Sequence, residues 1–393
     1  MIKQPQHIIS SFSNELQLLI LLSQHNLNKV EIDKIKTFEK FVDWKLFVEL
    51  AHKHRLISHV LKQIKQYPHF LKPEIKKQLK VMQQGLSKKA LLYSQYLLKI
   101  SEHLYKESIP HTFFKGPLLS LELYNDIGFR DYRDIDLLVP ISHIEKARKI
   151  IQDLGFVMLA PKKSLSKKQK SINYTISHHY HLSKPGASIE IELHWHLTNP
   201  RSYFPLETPK IIDDSINIEI AKQKLPYISK PENIVFLAAH GAIHQWYRLF
   251  WLKDFSEIIR QNSEEEIYKA WKLSEKNKLD KTFQQACTLS KQLYKIEIPK
   301  YINNINYTDS LFQHPIKSIS NKDLRQQGIG GKIKFVLYRL KLKPDINYFF
   351  SLIFRLRTHF TDWEILPLPN ALFFLYYIFR PFILTYKFLS RKN

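Results

Sequence analysis

Two acidic residues, Asp134 and Asp136, begin an otherwise apolar run that contains Ile135, Leu137 and Val139. Successive side chains of a β-strand point to opposite faces, so this alternation predicts a strand with both carboxylates on one face. Carboxylates that share a face repel each other unless a cation or a basic group lies between them. Because oxygen ligands of this kind suit a hard divalent cation, the pair predicts a magnesium site.

A third acidic position lies in Ser188–Leu197, a run with a period of two. Glu190, Glu192, His194 and His196 fall on one face of the predicted strand, and apolar residues fall on the other. For Glu190 and the two histidines, an ordinary exposed sheet face is an open alternative. A zinc site made by His194 and His196 is not expected, because no cysteine is nearby and carboxylates compete for the ion.

An ordered set of short motifs links these acids to a known family. The motifs are Lys115-Gly116, Leu123-Tyr124, Arg130 and the run Asp134–Val139. In this order they resemble the nucleotidyltransferase superfamily, and most closely its bacterial branch of uncharacterised nucleotidyltransferases. Two later segments also resemble that branch, and the resemblance extends from about Trp44 onward. They are Ile191–Leu197 and a segment that runs from His240 to Asp254.

The resemblance implies an enzyme that moves a nucleoside monophosphate from a nucleoside triphosphate such as ATP to an acceptor hydroxyl. Asp134 and Asp136 would hold two Mg²⁺ ions, the arrangement that serves both ends of an in-line displacement. Glu192 takes the place of the third carboxylate. It would hold the ion that activates the acceptor and would accept the hydroxyl proton. The acceptor itself is not identified by the sequence.

The resemblance also places nucleotide-binding residues at Lys115, Gly116, Arg130 and His194. Gly116 allows an unusual turn and a close approach of the backbone to phosphate. The chain departs from the superfamily at Pro117, which offers phosphate neither an N–H nor a hydroxyl. Lys115 compensates as a point charge, although a solvated surface lysine is an equal alternative.

A helical segment after Pro231 carries further candidates. His240, His244 and Arg248 are spaced by four, which predicts a single helical face that meets the base, sugar or phosphate of a nucleotide. A metal site on the two histidines is a lesser alternative, because the general-base Glu of zinc proteases is missing. Ordinary packing between helices is the other alternative.

The predicted fold class is α+β, with a small mixed-sheet core flanked by helical segments. The expected parts are a helical region at 1–108, the core at 109–200, a helical domain at 201–297 and a tail at 298–393. Only 9 glycines are present, which argues against a Walker or Rossmann phosphate loop. The single cysteine, Cys287, fits a reducing compartment. The amino terminus lacks a signal-peptide pattern, so a cytoplasmic location is expected.

The net charge of +24 favours anionic partners, namely nucleotides, nucleic acid or anionic lipid. Nucleic acid is disfavoured but stays open, since no stacking motif or basic repeat accompanies the charge. In the range 349–392, large apolar residues mix with Lys and Arg, and no apolar run reaches the roughly 20 residues that span a bilayer. This composition predicts peripheral contact with an anionic membrane. The alternative is packing on the protein's own helices.

Pro117 and the basic tail motivate a second hypothesis about the whole chain. In it, the protein is a catalytically degenerate binding protein with a transferase fold, located at the membrane surface.

Overall fold

The computed structural model describes residues 9–38, 40–320, 328–354 and 358–389. In these ranges the protein is α+β, with one seven-stranded mixed sheet and helices before and after it in the chain. The predicted fold class is therefore confirmed.

The helices are numbered in chain order. The first nine are α1 (Asn14–Leu22), α2 (Lys29–Phe38), α3 (Trp44–Lys53), α4 (Ile57–Gln66), α5 (Pro73–Lys106), α6 (Gly116–Tyr124), α7 (Ile144–Asp153), α8 (Lys167–Ile176) and α9 (Thr208–Asp213). The others are α10 (Lys230–Ile243), α11 (Leu249–Gln261), α12 (Glu264–Lys276), α13 (Asp280–Tyr294), α14 (Ser310–Ser320), α15 (Gly328–Leu342), α16 (Ile346–Phe354), α17 (Phe360–Ile365) and α18 (Leu375–Leu389).

The sheet has the strand order β3-β4-β5-β2-β1-β7-β6. Its strands are β1 (Thr112–Phe114), β2 (Asp134–Leu138), β3 (Val157–Ala160), β4 (His179–Lys184), β5 (Ile189–His194), β6 (Ile216–Ile220) and β7 (Gln223–Tyr227). β2 pairs with β5 in parallel, and so does β1 with β7; the other neighbours are antiparallel. The apolar positions of the central strands are fully buried, as the period of two predicts: Ile135, Leu137, Ile189, Ile191 and Leu193.

The chain divides into two compact units, each built from separate segments. The helical unit comprises Met1–Tyr96, Lys115–Tyr132 and Ser229–Lys343, and the sheet unit comprises Leu97–Phe114, Arg133–Ile228 and Pro344–Asn393. All seven strands belong to the sheet unit. The division into four consecutive parts stays a prediction.

Three segments differ from the structure that their sequence patterns predict. The proline-containing run 199–230 predicts an irregular connector, the run Ile172–Leu182 predicts a strand, and the glycines at 328, 330 and 331 predict a flexible hinge. The irregular connector predicted after residue 199 contains the β6–β7 hairpin, whose turn residues Ala221 and Lys222 both have positive φ. The strand predicted at Ile172–Leu182 begins as helix α8, because Ser166 and Gln169 form a capping box that starts a helix. The glycines at 328, 330 and 331 lie in helix α15 instead of forming a hinge.

The carboxy-terminal helices have one packed side and one exposed side. Tyr376 and Ile383 of α18 pack with Trp363 and with Ile176 of α8 in a small apolar core of the sheet unit. Other apolar side chains of α16 and α18 are exposed, including Phe350 at 60% and Phe382 at 72%. In the described ranges, none of the helices is both long and apolar enough to span a bilayer. Residues 321–327, 355–357 and 390–393 of the predicted tail lie outside the described residues.

Candidate functional site

The acidic residues face one another across the parallel strands β2 and β5. Asp134 is in register with Glu190, and Asp136 is in register with Glu192. Like charges directly opposite each other on neighbouring strands destabilise a sheet. This arrangement therefore requires positive charge on the same face, either from basic side chains or from a bound cation.

His194 lies between two of these carboxylates. Its Nε2 atom is 3.4 Å from Oδ1 of Asp136 and 3.1 Å from Oε2 of Glu192. The side chains of His194 and Asp136 are almost completely buried, whereas that of Glu192 is 25% exposed. Burial by itself lowers the pKa of His194, but the hydrogen bonds to Asp136 and Glu192 outweigh it, so the pKa is raised.

Two further histidines extend this group at the start of β4. His179 Nε2 lies 3.8 Å from Oε1 of Glu192, and His179 Nδ1 lies 3.1 Å from Nε2 of His178. Burial lowers the pKa of His179 to about 4, although Glu192 counteracts it. A chain of contacts thus runs from His178 through His179, Glu192 and His194 to Asp136.

This polar face can hold a divalent metal ion. The ligand atoms of Asp136, Glu192 and His194 lie within 4.8 Å of one another, and so do those of His178, His179 and His194. The first set combines carboxylate oxygen with imidazole nitrogen, and the second set contains imidazole nitrogen only; both donor types bind metals in proteins. Two of the three residues of the predicted metal site, Asp136 and Glu192, therefore belong to a group that fits a divalent cation. Asp134 is on the same sheet face but belongs to neither set. It lies two residues before Asp136 on β2, in register with Glu190 of β5.

Sequence reasoning missed His178 and His179. For His179 the signal was the turn at 184–187, which joins β4 and β5 in a hairpin and sets the register between them; His178 precedes β4, and the pattern gave no signal for it. That register pairs His179 with His194 and His181 with Glu192, so the histidines of β4 share the face of the acids.

Lys115 and Gly116 belong to the helical unit; Lys115 directly precedes helix α6, and Gly116 is the first residue of that helix. Lys115 has φ 59° and ψ −142°, and Gly116 has φ 51°. The conformation of Lys115 belongs to a region that is almost restricted to glycine, and such strain gathers at functional sites. The Lys115 ammonium lies 5.6 Å from the centre of the Phe236 ring, within the range of a cation–π contact. Pro117 occupies the first turn of α6, where a backbone N–H has no partner within the helix.

Arg130 is engaged within the helical unit. Its Nε and Nη2 atoms contact Oδ2 of Asp254 at 2.9 and 2.8 Å, and its Nη1 atom donates to the carbonyl of Gly116 at 3.2 Å. Only 5% of its side chain is exposed. These contacts hold the turn at Gly116, so Arg130 acts on that turn through positioning. Binding of nucleotide by Arg130 stays a prediction.

The prediction of a single helix through His240, His244 and Arg248 is wrong. Helix α10 ends at Ile243, and α11 begins at Leu249, because Gln245 and Trp246 both have positive φ and reverse the chain. The buried Trp246 ring folds back onto Gly241, where a side chain would collide with it. The spacing of four therefore does not create a common helical face for the three residues.

The same three residues nevertheless meet around Trp251. His244 stacks on the Trp251 ring with 5.1 Å between centroids, and His240 approaches it edge-on at 5.2 Å. The Arg248 guanidinium lies 5.9 Å from the Trp251 ring centre. We call His240, His244, Arg248 and Trp251 the Trp251 cluster. Its flat, half-buried rings and its guanidinium suit a base or a phosphate.

The predicted site residues fall into two groups. Asp134, Asp136, Glu192 and His194 share a sheet face in the sheet unit, and the helical unit contains the rest: Lys115, Gly116, Arg130, His240, His244 and Arg248. Within each group the residues form the contacts described above.

A known protein family matches the part of the chain that contains these residues. The family profile of uncharacterised nucleotidyltransferases matches residues 40–295, more than half of the chain, and every predicted site residue lies in that range. No curated protein matches the chain. Among solved structures, the chain is similar to an antigenic nucleotidyltransferase-like protein from Paracoccidioides brasiliensis, at 15% identity and a TM-score of 0.31. That likeness covers 55% of this chain and 95% of the other, and it is too distant to carry an argument.

Proposed function

Because this chain belongs to the family of uncharacterised nucleotidyltransferases, we propose that it transfers a nucleoside monophosphate from a nucleoside triphosphate to an acceptor hydroxyl. The observation that carries the proposal is the pairing of Asp136 with Glu192 across β2 and β5, with His194 against both carboxylates. A nucleotidyltransferase needs acids that converge on divalent ions, and this face supplies them.

In the proposed reaction, the acceptor oxygen forms a bond with the α-phosphorus, and the bond from that phosphorus to the leaving pyrophosphate breaks. Bound divalent ions, Mg²⁺ in our proposal, would supply neutralisation of the phosphate charge. Asp134, Asp136 and Glu192 would hold them. The partly exposed carboxylate of Glu192 would accept the hydroxyl proton, and its contact with His194 orients it for that role.

We assign nucleotide binding to Lys115 and Gly116 and to the Trp251 cluster of the helical unit. The strained backbone at Lys115 supports a functional turn, since such strain persists only where the surroundings enforce it. Lys115 would contact the phosphates as a point charge, which offsets the missing N–H of Pro117. Stacking on Trp251 would accept any base, so this arrangement does not select among nucleotides.

The substitution Asp136→Asn tests the proposed reaction. It keeps the size of the side chain and removes the charge, so transfer should be lost while the fold remains. The measurement is release of pyrophosphate and transfer of label from α-labelled triphosphates to candidate acceptors, with circular dichroism as the check on folding. Asp33→Asn, at a carboxylate that is 58% exposed, is the control. Unchanged turnover in Asp136→Asn would contradict the proposed mechanism.

A second role, peripheral binding to anionic membranes at the inner face of the cell membrane, is favoured by helices α16 and α18. Aromatic and aliphatic side chains remain exposed on them while the opposite side of α18 is packed. Exposed aromatic residues on a chain of net charge +24 suit an anionic lipid surface. On the degenerate hypothesis, this binding would be the whole function.

Co-sedimentation with vesicles tests the membrane role. The full chain should bind vesicles that contain phosphatidylserine more tightly than vesicles of phosphatidylcholine. Phe382→Ser should weaken that binding, whereas Val30→Ser, at an exposed site of the helical unit, should not. Binding with neither turnover nor affinity for divalent ions would favour the degenerate alternative. Equal behaviour of the two variants would exclude α18 as the contact.

A further inference from the structure

We propose that Asp136, Glu192 and His194 form a mixed nitrogen and oxygen site that selects a transition-metal dication such as Mn²⁺ over Mg²⁺. The inference rests on the proposed function, which expects two metal ions. It assigns one of the two positions to a transition metal instead of Mg²⁺. It gives His194 the role of a metal ligand, in place of the nucleotide contact predicted from the sequence.

The spacing of the three ligand atoms is the first argument. Two ligand atoms bound about 2.1 Å from one ion lie roughly 3.0–3.4 Å apart in octahedral or tetrahedral geometry. The distances from His194 Nε2 to Asp136 and Glu192 are 3.4 and 3.1 Å. The two ligand pairs that include His194 therefore already have the separation that a shared ion requires, and the carboxylate oxygens of Asp136 and Glu192 lie within 4.8 Å of each other.

The second argument is the orientation of the His194 ring. Its Nδ1 atom lies 3.3 Å from the carbonyl of His196, which can only accept a hydrogen bond. Nδ1 therefore carries a proton, and Nε2 is the atom that faces the carboxylates. Metal-ligating histidines usually show this pattern, in which the second ring N–H donates to a carbonyl and fixes the tautomer.

The third argument is the type of donor and its burial. Mg²⁺ prefers oxygen ligands and keeps several of its waters, whereas imidazole nitrogen suits first-row transition metals, above all Fe²⁺, Ni²⁺, Cu²⁺ and Zn²⁺. Mn²⁺ is the weakest binder of that series and serves here as its spectroscopic probe. His194 and Asp136 are almost inaccessible to water, and ring nitrogens of His178 and His179 lie within 4.8 Å of a ring nitrogen of His194. Asp134, nearer to Glu190, stays available for an ion that is bound mainly by oxygen and by the triphosphate.

The competing explanation is a hydrogen-bonded network with no metal in it. In that case a doubly protonated His194 holds the two carboxylates together, which the same distances also permit. A direct measurement of metal coordination separates the two explanations.

The experiment uses the full chain after removal of metals with a chelator. Mn²⁺ is titrated in, and binding is followed by the loss of the free-ion signal in electron paramagnetic resonance. Electron spin-echo modulation then detects a coordinated ¹⁴N nucleus. We expect binding that survives an excess of Mg²⁺, together with nitrogen modulation, because an imidazole ligand favours a transition metal over Mg²⁺.

The variants separate the ligands. His194→Gln should weaken Mn²⁺ binding about 10–100-fold and abolish the modulation from its nitrogen. Glu192→Gln should weaken binding and keep the nitrogen signal, which guards against a His194 variant that fails to fold. His181→Gln is the control, because His181 is on the same sheet face but contacts Glu190 at 3.0 Å.

Lack of nitrogen modulation, equal displacement by Mg²⁺, or unchanged affinity in His194→Gln would overturn the inference. None of these measurements needs nucleotide or turnover. A chain that binds Mn²⁺ through His194 but transfers no nucleotide would therefore contradict the proposed function and leave the metal site intact.

Discussion

Arg130 and Asp254 form a buried ion pair in which two guanidinium nitrogens, at 2.9 and 2.8 Å, contact one carboxylate oxygen. The hydroxyl of Tyr124 donates to the other oxygen at 2.9 Å. Both charges are almost fully withdrawn from water. Because Arg130 also donates to the carbonyl of Gly116, the pair fixes the turn to which we assign phosphate binding.

We expect Asp254→Asn to lower the free energy of unfolding by about 3–5 kcal/mol, since it leaves the buried Arg130 charge without its partner. Urea denaturation followed by circular dichroism measures the loss. The control is Glu102→Gln, which breaks an exposed pair with Lys106 and should have no measurable effect. A loss as small as that of the control would show that Arg130 does not depend on Asp254.

Gly241→Ala should destabilise the helical unit. A Cβ atom at Gly241 would lie 2.1 Å from Cζ3 of Trp246, whose buried indole donates to Gln285 and cannot move away. Overpacking of this kind costs about 1–3 kcal/mol. The same substitution at Gly85, in helix α5 with open space around it, should stabilise the protein by about 0.5–1 kcal/mol. Thermal unfolding of the two variants gives the comparison, and shifts of the same sign would contradict it.

Lys115→Gly should raise the stability of the protein and weaken its binding of nucleotide. Relief of the strain at φ 59° and ψ −142° outweighs the added flexibility of glycine, so the free energy of unfolding should rise by about 1 kcal/mol. Loss of the ammonium should weaken triphosphate binding, measured by calorimetry.

Lys222→Gly is the matched control for that substitution. Lys222 has φ 64° in the β6–β7 turn and is not one of the assigned site residues, so the variant should gain stability and keep its affinity for triphosphate. Unchanged affinity in Lys115→Gly would make Lys115 an ordinary surface lysine.

His54 should make stability depend on pH. Its Nδ1 accepts the backbone N–H of Leu249 at 3.2 Å, and burial, aided by Lys53 and Arg248, lowers its pKa to about 3. Below about pH 6.5 the unfolded chain binds a proton that the folded ring does not, so stability falls as the pH falls. At about pH 5.5 the contribution lost is about 1.4 kcal/mol.

Urea denaturation of wild type and of His54→Asn at about pH 7.5 and 5.5 measures that contribution. The stability gap between the two proteins should narrow at the lower pH, because asparagine cannot take up the proton. His52→Asn, at an exposed position of helix α3, serves as the control. A gap that stays constant with pH would contradict the role given to His54.

Much of the candidate site could be predicted from the sequence. The alternation in Asp134–Val139 and in Ser188–Leu197 placed the acids on one strand face each, because a period of two follows from the local geometry of an extended chain. Structure in the segment after Pro231 could not be predicted in the same way. The spacing of four at His240, His244 and Arg248 is compatible with one helix, but the contact between Gly241 and Trp246 ends it.

The sequence by itself determined the α+β class, the acids that share each strand face, and the family to which those motifs belong. Tertiary structure alone decided that β2 lies beside β5 in parallel register, that His194 stands between Asp136 and Glu192, and that Arg130 is bound to Asp254. The physical reason is the separation along the chain of the residues that interact. Side-chain alternation is set by neighbouring residues, whereas strand partners and buried ion pairs depend on contacts between residues far apart in the chain.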